Sequence, residues 1–220
     1  FFANRQTSGQ NDGGATAPDS SRAQRGATDM ASIAGAKSGP IPSTGTLSAT
    51  VPAVLGACIT ALDQFGTKSL GEVMQPAIEL ADGFPIDELR VEYIKTRAPI
   101  FSQWPEAKRL FLPNGEVPNV GSIFVQSDLA KTMRDIVRAE RLATKGTKNN
   151  RHAGLVAARD YFYRGPIARR IGDYMQTHGG LIAAEDFGRF HANTGQPVRA
   201  DYHDYQIYKA GFWTQGPALV

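Results

Sequence analysis

Residues 50–86 read as two amphipathic helices with their punctuation in place, and the rest of the chain has to be arranged around them. Pro52 suits the first turn of a helix, where its missing N–H would lack a partner in any case. Val54, Leu55, Cys58, Ile59, Leu62 and Phe65 recur at helical spacing, which predicts one apolar face with the Cys58 thiol buried on it. Gly66 supplies the stop. Ser69 with Glu72 three residues later forms a capping box, a sign that a second helix begins there. Its stripe is Val73, Met74, Ala77, Ile78 and Ala81. Pro76 interrupts that stripe and predicts a kink or split near Gln75. Gly83 ends the helix, and Phe84 can fold back onto it.

Residues 1–8 read as a short strand and its exit, and residues 9–49 as one long loop rich in Gly, Ser, Ala, Thr and Pro. Residues 50–190 are mainly helical. The spacing predicts a helix over 87–97 with Leu89, Tyr93 and Ile94 inward. A short aromatic segment follows, containing Trp104 as a packing residue and ending at the turn Pro113-Asn114-Gly115. Ser127 is placed to cap a helix whose stripe is Leu129, Met133, Ile136 and Val137, with Asp128 favourable to its dipole. Residues 141–151 are polar and basic and read as an exposed insertion. Leu155, Ala158 and Phe162 mark another helix. After a break at Gly165-Pro166, Ile167, Ile171, Tyr174 and Met175 mark the next. Val198, Ala200 and Tyr202 alternate with Arg199 and Asp201, so residues 196–210 form a hairpin turning at His203-Asp204.

Among 220 residues, 24 basic and 21 acidic side chains leave a net charge of only +3, and the basic residues are scattered, so no nucleic-acid partner is expected. No apolar run approaches the roughly 18 residues of a membrane-spanning helix. With one cysteine, no internal disulfide can form. His152, His178, His191 and His203 lack metal-ligand spacing and read as surface or capping residues. No phosphate-cradling motif and no GxSxG elbow occurs, so neither a cofactor nor a self-contained active site is expected. Glu185-Asp186 does not make a catalytic pair, because adjacent helical residues do not face each other, and Asp186 has the position of a cap. The chain begins Phe1-Phe2-Ala3 and breaks off in the apolar stretch 216–220. This reads as an internal piece of a longer protein, so the lack of a leader says nothing about localisation.

The segment VPAVLGACITALDQFGTKSLGEVMQPAIELADGFPI resembles a stretch of the gamma-glutamyltranspeptidases. Further similarities follow in order: FLPNGEVPNVGSIFVQSDLAKTMRDI, FYRGPIARRI, GGLIAAEDFGRF and PVRADYHDYQIY. Together they cover about three quarters of the chain, and several motifs in fixed order are far more specific than any one. The stretch GFWTQGPAL stands where better-known members have a PPPSSGG-like pattern, and acylases of beta-lactam side chains share the architecture.

The resemblance implies an α+β fold, the αββα sandwich of N-terminal-nucleophile hydrolases, of which residues 1–220 would be a partial large-subunit region. It implies a precursor that cuts itself, with a small-subunit portion outside this chain carrying a Thr nucleophile activated by its own α-amine. The substrate class would be gamma-glutamyl compounds similar to glutathione, and the compartment periplasmic, secreted or cell-surface. Arg5, in NRQTSG, matches the arginine of a family motif like D-x-RETAP, which holds the substrate's α-carboxylate. Thr7 also matches, whereas Gln6, Ser8 and Gly9 depart from the motif. The alternative for Arg5 is an ordinary surface arginine, and the alternative for the chain is a helical binding or scaffold module without catalysis.

Overall fold

The computed structural model describes residues 42–145 and 150–219. Residues from Thr44 onward form one compact unit, dominated by eight α-helices among the described residues. These are α1 (Val54–Phe65), α2 (Leu70–Asp82), α3 (Glu88–Phe101), α4 (Pro105–Phe111), α5 (Ser127–Thr144), α6 (Arg151–Tyr163), α7 (Pro166–Thr177) and α8 (Ala184–Arg189). The described strands make two separate antiparallel pairs. β1 (Phe84–Pro85) lies against β2 (Ile123–Phe124), and β3 (Val198–Tyr202) against β4 (Tyr205–Lys209).

The capping box at the head of α2 forms in full. Ser69 Oγ accepts from the Glu72 N–H at 3.2 Å, and the Glu72 carboxylate accepts from the Ser69 N–H at 2.9 Å. That backbone bond, helped by Lys68 at 3.1 Å, holds the Glu72 carboxyl at about 2, well below its ordinary 4.5. Pro76 does not divide the helix as expected: α2 is continuous from Leu70 to Asp82. A proline removes one backbone bond, here to the Glu72 carbonyl, and both residues are exposed, so water can satisfy the freed oxygen.

The core has three parts. Ile59, Leu70, Ile136, Leu155 and Ala158 meet where α1, α2, α5 and α6 pack. Tyr163, Ala168 and Phe187 join the end of α6 to α7 and α8. Ile86, Ile94, Leu112 and Phe124 form a smaller lobe of β1, α3, α4 and β2, lined with stacked phenylalanines. Two glycines set the closeness of the bundle. A side chain on Gly154 would lie 2.7 Å from Thr144, and one on Gly172 would lie 2.7 Å from the Ala184 nitrogen.

Several faces differ from the sequence expectation. Cys58 is exposed, as are Val54 and Phe65 at 76% and 79%, because the side of α1 turned to the bundle carries Gly56 and Ile59 instead. On α2, Leu70, Ile78 and Ala81 are buried while Val73 and Ala77 face out. On α3, Ile94 is buried but Leu89 and Tyr93 are exposed, since Val91, Ile94 and Ala98 make the line that meets the lobe. Tyr93 turns back under the Arg97 guanidinium, 5.6 Å from its ring centre. Ser127 is the first residue of α5 rather than its cap, and Leu129 is exposed. Residues 141–144 continue α5 instead of opening a loop. The hairpin has its strands at Val198–Tyr202 and Tyr205–Lys209, and His203 takes a φ of 51° at the turn. No helix among the described residues is long and apolar enough to cross a membrane.

Candidate functional site

Three polar side chains position the bundle, two of them, Glu140 and Tyr163, buried and the third, Arg151, half-buried. Glu140, 4% exposed, sends its carboxylate from α5 to the first turn of α2, accepting from the Leu70 N–H at 2.6 Å and the Gly71 N–H at 2.8 Å. The free amides and dipole of a helix start make that a favourable place for a negative charge. Tyr163, fully buried on α6, donates to the Pro52 carbonyl at 2.6 Å and accepts from the Gly56 N–H at 2.9 Å. Burial pushes its phenol above the ordinary tyrosine range. At the other end of α1 the Arg151 guanidinium donates to the Leu62 and Asp63 carbonyls at 2.8 and 2.9 Å, while His152 Nδ1 lies 2.8 Å from the Asp63 carboxylate.

A cleft of about 690 Å³ opens between α4, the 113–122 turn, β2 and the head of α5. Arg109 and Asp128 are joined across it at 2.8 Å. The Arg109 hydrogen bond holds the Asp128 carboxyl below its usual range, and the same bond raises the guanidinium. That pair is mutually satisfied, and the carboxylates of Glu106 and Glu116 also line the cleft. Hydroxyls beside a base do occur among the described residues, but Ser69 Oγ donates at 3.0 Å to a Glu72 carboxylate held at about 2, a weak base. Thr177 Oγ1 lies 3.0 Å from His178 Nδ1, but that nitrogen also sits 2.8 Å from the Tyr174 carbonyl. It must therefore donate there and cannot serve as a base toward Thr177. Asp186 accepts from the Ala183 N–H at 2.9 Å, a cap as expected, and Glu185 is exposed. His191 is tied to Arg159 at 3.0 Å. No cluster of three metal-ligating side chains occurs among the described residues.

Arg5 lies outside the described residues, so the structure brings nothing to it. Glu140, Tyr163 and Arg151 escaped the sequence reading. Glu140 had a signal: it continues the α5 stripe of Met133, Ile136 and Val137, and a carboxylate at a core position demands a partner. Arg151 was hidden by the basic run around it, and Tyr163 by its neighbour Phe162.

The fold class these helices and strands belong to is α+β, that of the N-terminal-nucleophile hydrolases, as the solved structures of matching shape show. Within that class the chain belongs to the gamma-glutamyltranspeptidase family, whose profile matches residues 10–220. It is 35% identical over 158 residues to the glutathione hydrolase proenzyme of Bacillus subtilis (strain 168), a match covering 71% of this chain and 24% of that one. It is 31% identical over 185 residues to the acylase ACY 1 proenzyme of Pseudomonas sp. (strain SE83), covering 84% of this chain and 28% of that one. The crystal structure of Helicobacter pylori gamma-glutamyltranspeptidase superposes with a TM-score of 0.68 at 28% identity, over 80% of this chain and 46% of that one. The chain spans about a quarter of the length of the curated relatives it matches. The match begins after Arg5.

Proposed function

We propose that the complete protein transfers or hydrolyses gamma-glutamyl groups of donors similar to glutathione, after cutting itself to expose a Thr nucleophile outside this chain. The observation that carries the reading is the family match over residues 10–220, together with relatives named as glutathione hydrolase proenzymes. In this reading residues 1–220 are a partial large-subunit region of one N-terminal-nucleophile domain. Its partner is the portion bearing the nucleophile. The new N-terminal amine would act as the general base on its own Thr hydroxyl. The helical bundle supplies the frame, fixed by Glu140, Tyr163 and Arg151.

Arg5 is proposed to hold the donor's α-carboxylate, because a guanidinium fork matches a carboxylate bidentately and stays charged at any working pH. A second reading, an acylase of beta-lactam side chains, is favoured by the likeness to acylase ACY 1 over more of the chain. One experiment separates them: the complete protein is assayed on a gamma-glutamyl anilide and on an acylated beta-lactam, alongside Arg5→Ala and Arg5→Lys. The first reading expects turnover of the anilide, a loss of about 2–5 kcal/mol in kcat/KM with Ala, and partial rescue with Lys. Turnover of the beta-lactam alone selects the acylase. Unchanged kcat/KM in Arg5→Ala makes Arg5 a surface residue.

A further inference from the structure

Helices α2 and α5 pack side by side, and next to their contact lies a cavity of about 350 Å³. Its floor is Ile78 of α2 and Val137 of α5, both buried. Its walls are Gln75 and three arginines of α5, Arg134, Arg138 and Arg141, with no acidic side chain among the lining residues. Positions four and three apart share one helix face, here with rises of about 6 and 4.5 Å. Like charges at that spacing repel, so the helix itself gains nothing from the row. The acids nearby are engaged elsewhere. Asp82 takes a donor of Arg134, Glu79 accepts from Gln75 at 2.9 Å, and Glu72 pairs with Lys68 while capping α2. Glu140 is turned to the Leu70 and Gly71 amides, and Asp135 to Lys131. Arg138 and Arg141 are left with no hydrogen-bond or ion-pair partner among the described residues.

We propose that this cavity binds a small molecule carrying two anionic groups, phosphates or carboxylates, held by Arg138 and Arg141 with Arg134 at the end of the row. A guanidinium presents a planar fork of donors that matches either oxyanion bidentately and stays charged at any working pH. Ile78 and Val137 keep water from one side, where charged hydrogen bonds are stronger than in bulk solvent. The length of the row selects the number of anionic groups. Arg138 and Arg141 together can hold one, whereas a row rising about 10 Å from Arg134 to Arg141 reaches a second. The volume is of small-molecule size, and a single phosphate would leave most of it empty. A diphosphate and a short dicarboxylate share this chemistry. None of these residues belongs to the proposed gamma-glutamyl machinery, so the site stands whether or not that reading does.

The complete protein is titrated calorimetrically with pyrophosphate, succinate and inorganic phosphate, at low salt and again in about 0.5 M NaCl. Pyrophosphate or succinate should bind, the tighter of the two naming the anionic group, and added salt should weaken it. Arg138→Gln with Arg141→Gln should weaken binding about 100-fold, roughly tenfold for each charged hydrogen-bonding group removed. Arg138→Lys should keep part of the affinity, since it retains the charge without the fork. Arg169→Gln with Arg170→Gln removes the same charge from α7 and should leave the affinity nearly unchanged. Without ligand, the Arg138→Gln, Arg141→Gln protein should melt no lower than the wild type, because neither side chain has a partner to lose. Failure of both pyrophosphate and succinate to bind overturns the proposal. Inorganic phosphate binding as tightly as either overturns it too, by removing the second anionic group. Equal losses in the two double variants would reduce the effect to net charge and also overturn it. A lowered Tm in the ligand-free Arg138→Gln, Arg141→Gln protein does the same, by assigning the row to an acidic segment of the complete chain.

Discussion

The helical bundle and the aromatic lobe bury their apolar residues by different means. In the bundle, cross-links run through polar side chains: buried Glu140 joins α5 to α2, buried Tyr163 joins α6 to the head of α1, and half-buried Arg151 joins α6 to its tail. Each link has defined geometry, so it fixes which helix meets which and at what register. In the lobe, Phe84, Phe101, Phe111 and Phe124 stack around Ile86, Ile94 and Leu112, and the hydrogen bonds that tie β1 to β2 are backbone ones. Aromatic contact is worth a great deal in area, and the rings take the stacked and edge-to-face arrangements that their quadrupoles favour. The bundle is thus held at a few polar cross-links and the lobe by a continuous aromatic contact.

The difference can be broken by substitution. Phe124→Ala should cost about 3–4 kcal/mol, the usual price of a large core truncation, and Phe124→Leu much less. The loss should be confined to β1, α3, α4 and β2 in hydrogen exchange. Protection lost equally across the bundle would mean that the two regions are one unit. Glu140→Ala should cost about 2–3 kcal/mol, since two helix-start amides lose a charged acceptor. Its effect should spread through α2 and α5 together, and Glu140→Gln should recover about half, because an amide offers one acceptor oxygen. Equal stability of Ala and Gln in a urea titration would show that only volume matters there.

The smallest effect is at the exposed capping box. Glu72 is held at about 2, so its contribution is complete above the ordinary value of 4.5 and is lost as pH falls toward 2. Glu72→Gln should flatten that part of the stability–pH curve while leaving neutral-pH folding intact. A curve unchanged by the substitution would remove Glu72 from the account.

The start of α2 was legible because a capping box is local: Ser69 and Glu72 satisfy each other whatever surrounds them. The hairpin was legible for the same reason, through the alternation of Val198, Arg199 and Ala200. What could not be read was direction. Periodicity marks Leu89, Tyr93 and Ile94 as apolar, but which of them turns inward depends on where the lobe lies. Cys58 shows the same limit more sharply, because α1 is apolar on two sides and spacing alone cannot say which side the bundle takes. The site was less legible still. Arg5 came from resemblance to a motif, and the buried links depend on residues 70 to 111 positions apart in the chain.

The proposal that this chain is part of a self-processing gamma-glutamyl enzyme is tested most directly by the intact mass of the purified complete protein. The account predicts two polypeptides from one precursor, the smaller beginning with Thr, and one uncut precursor when that Thr is replaced by Ala. A wild-type protein that turns over a gamma-glutamyl donor as a single uncut chain, or that stays uncut and inactive, would contradict it.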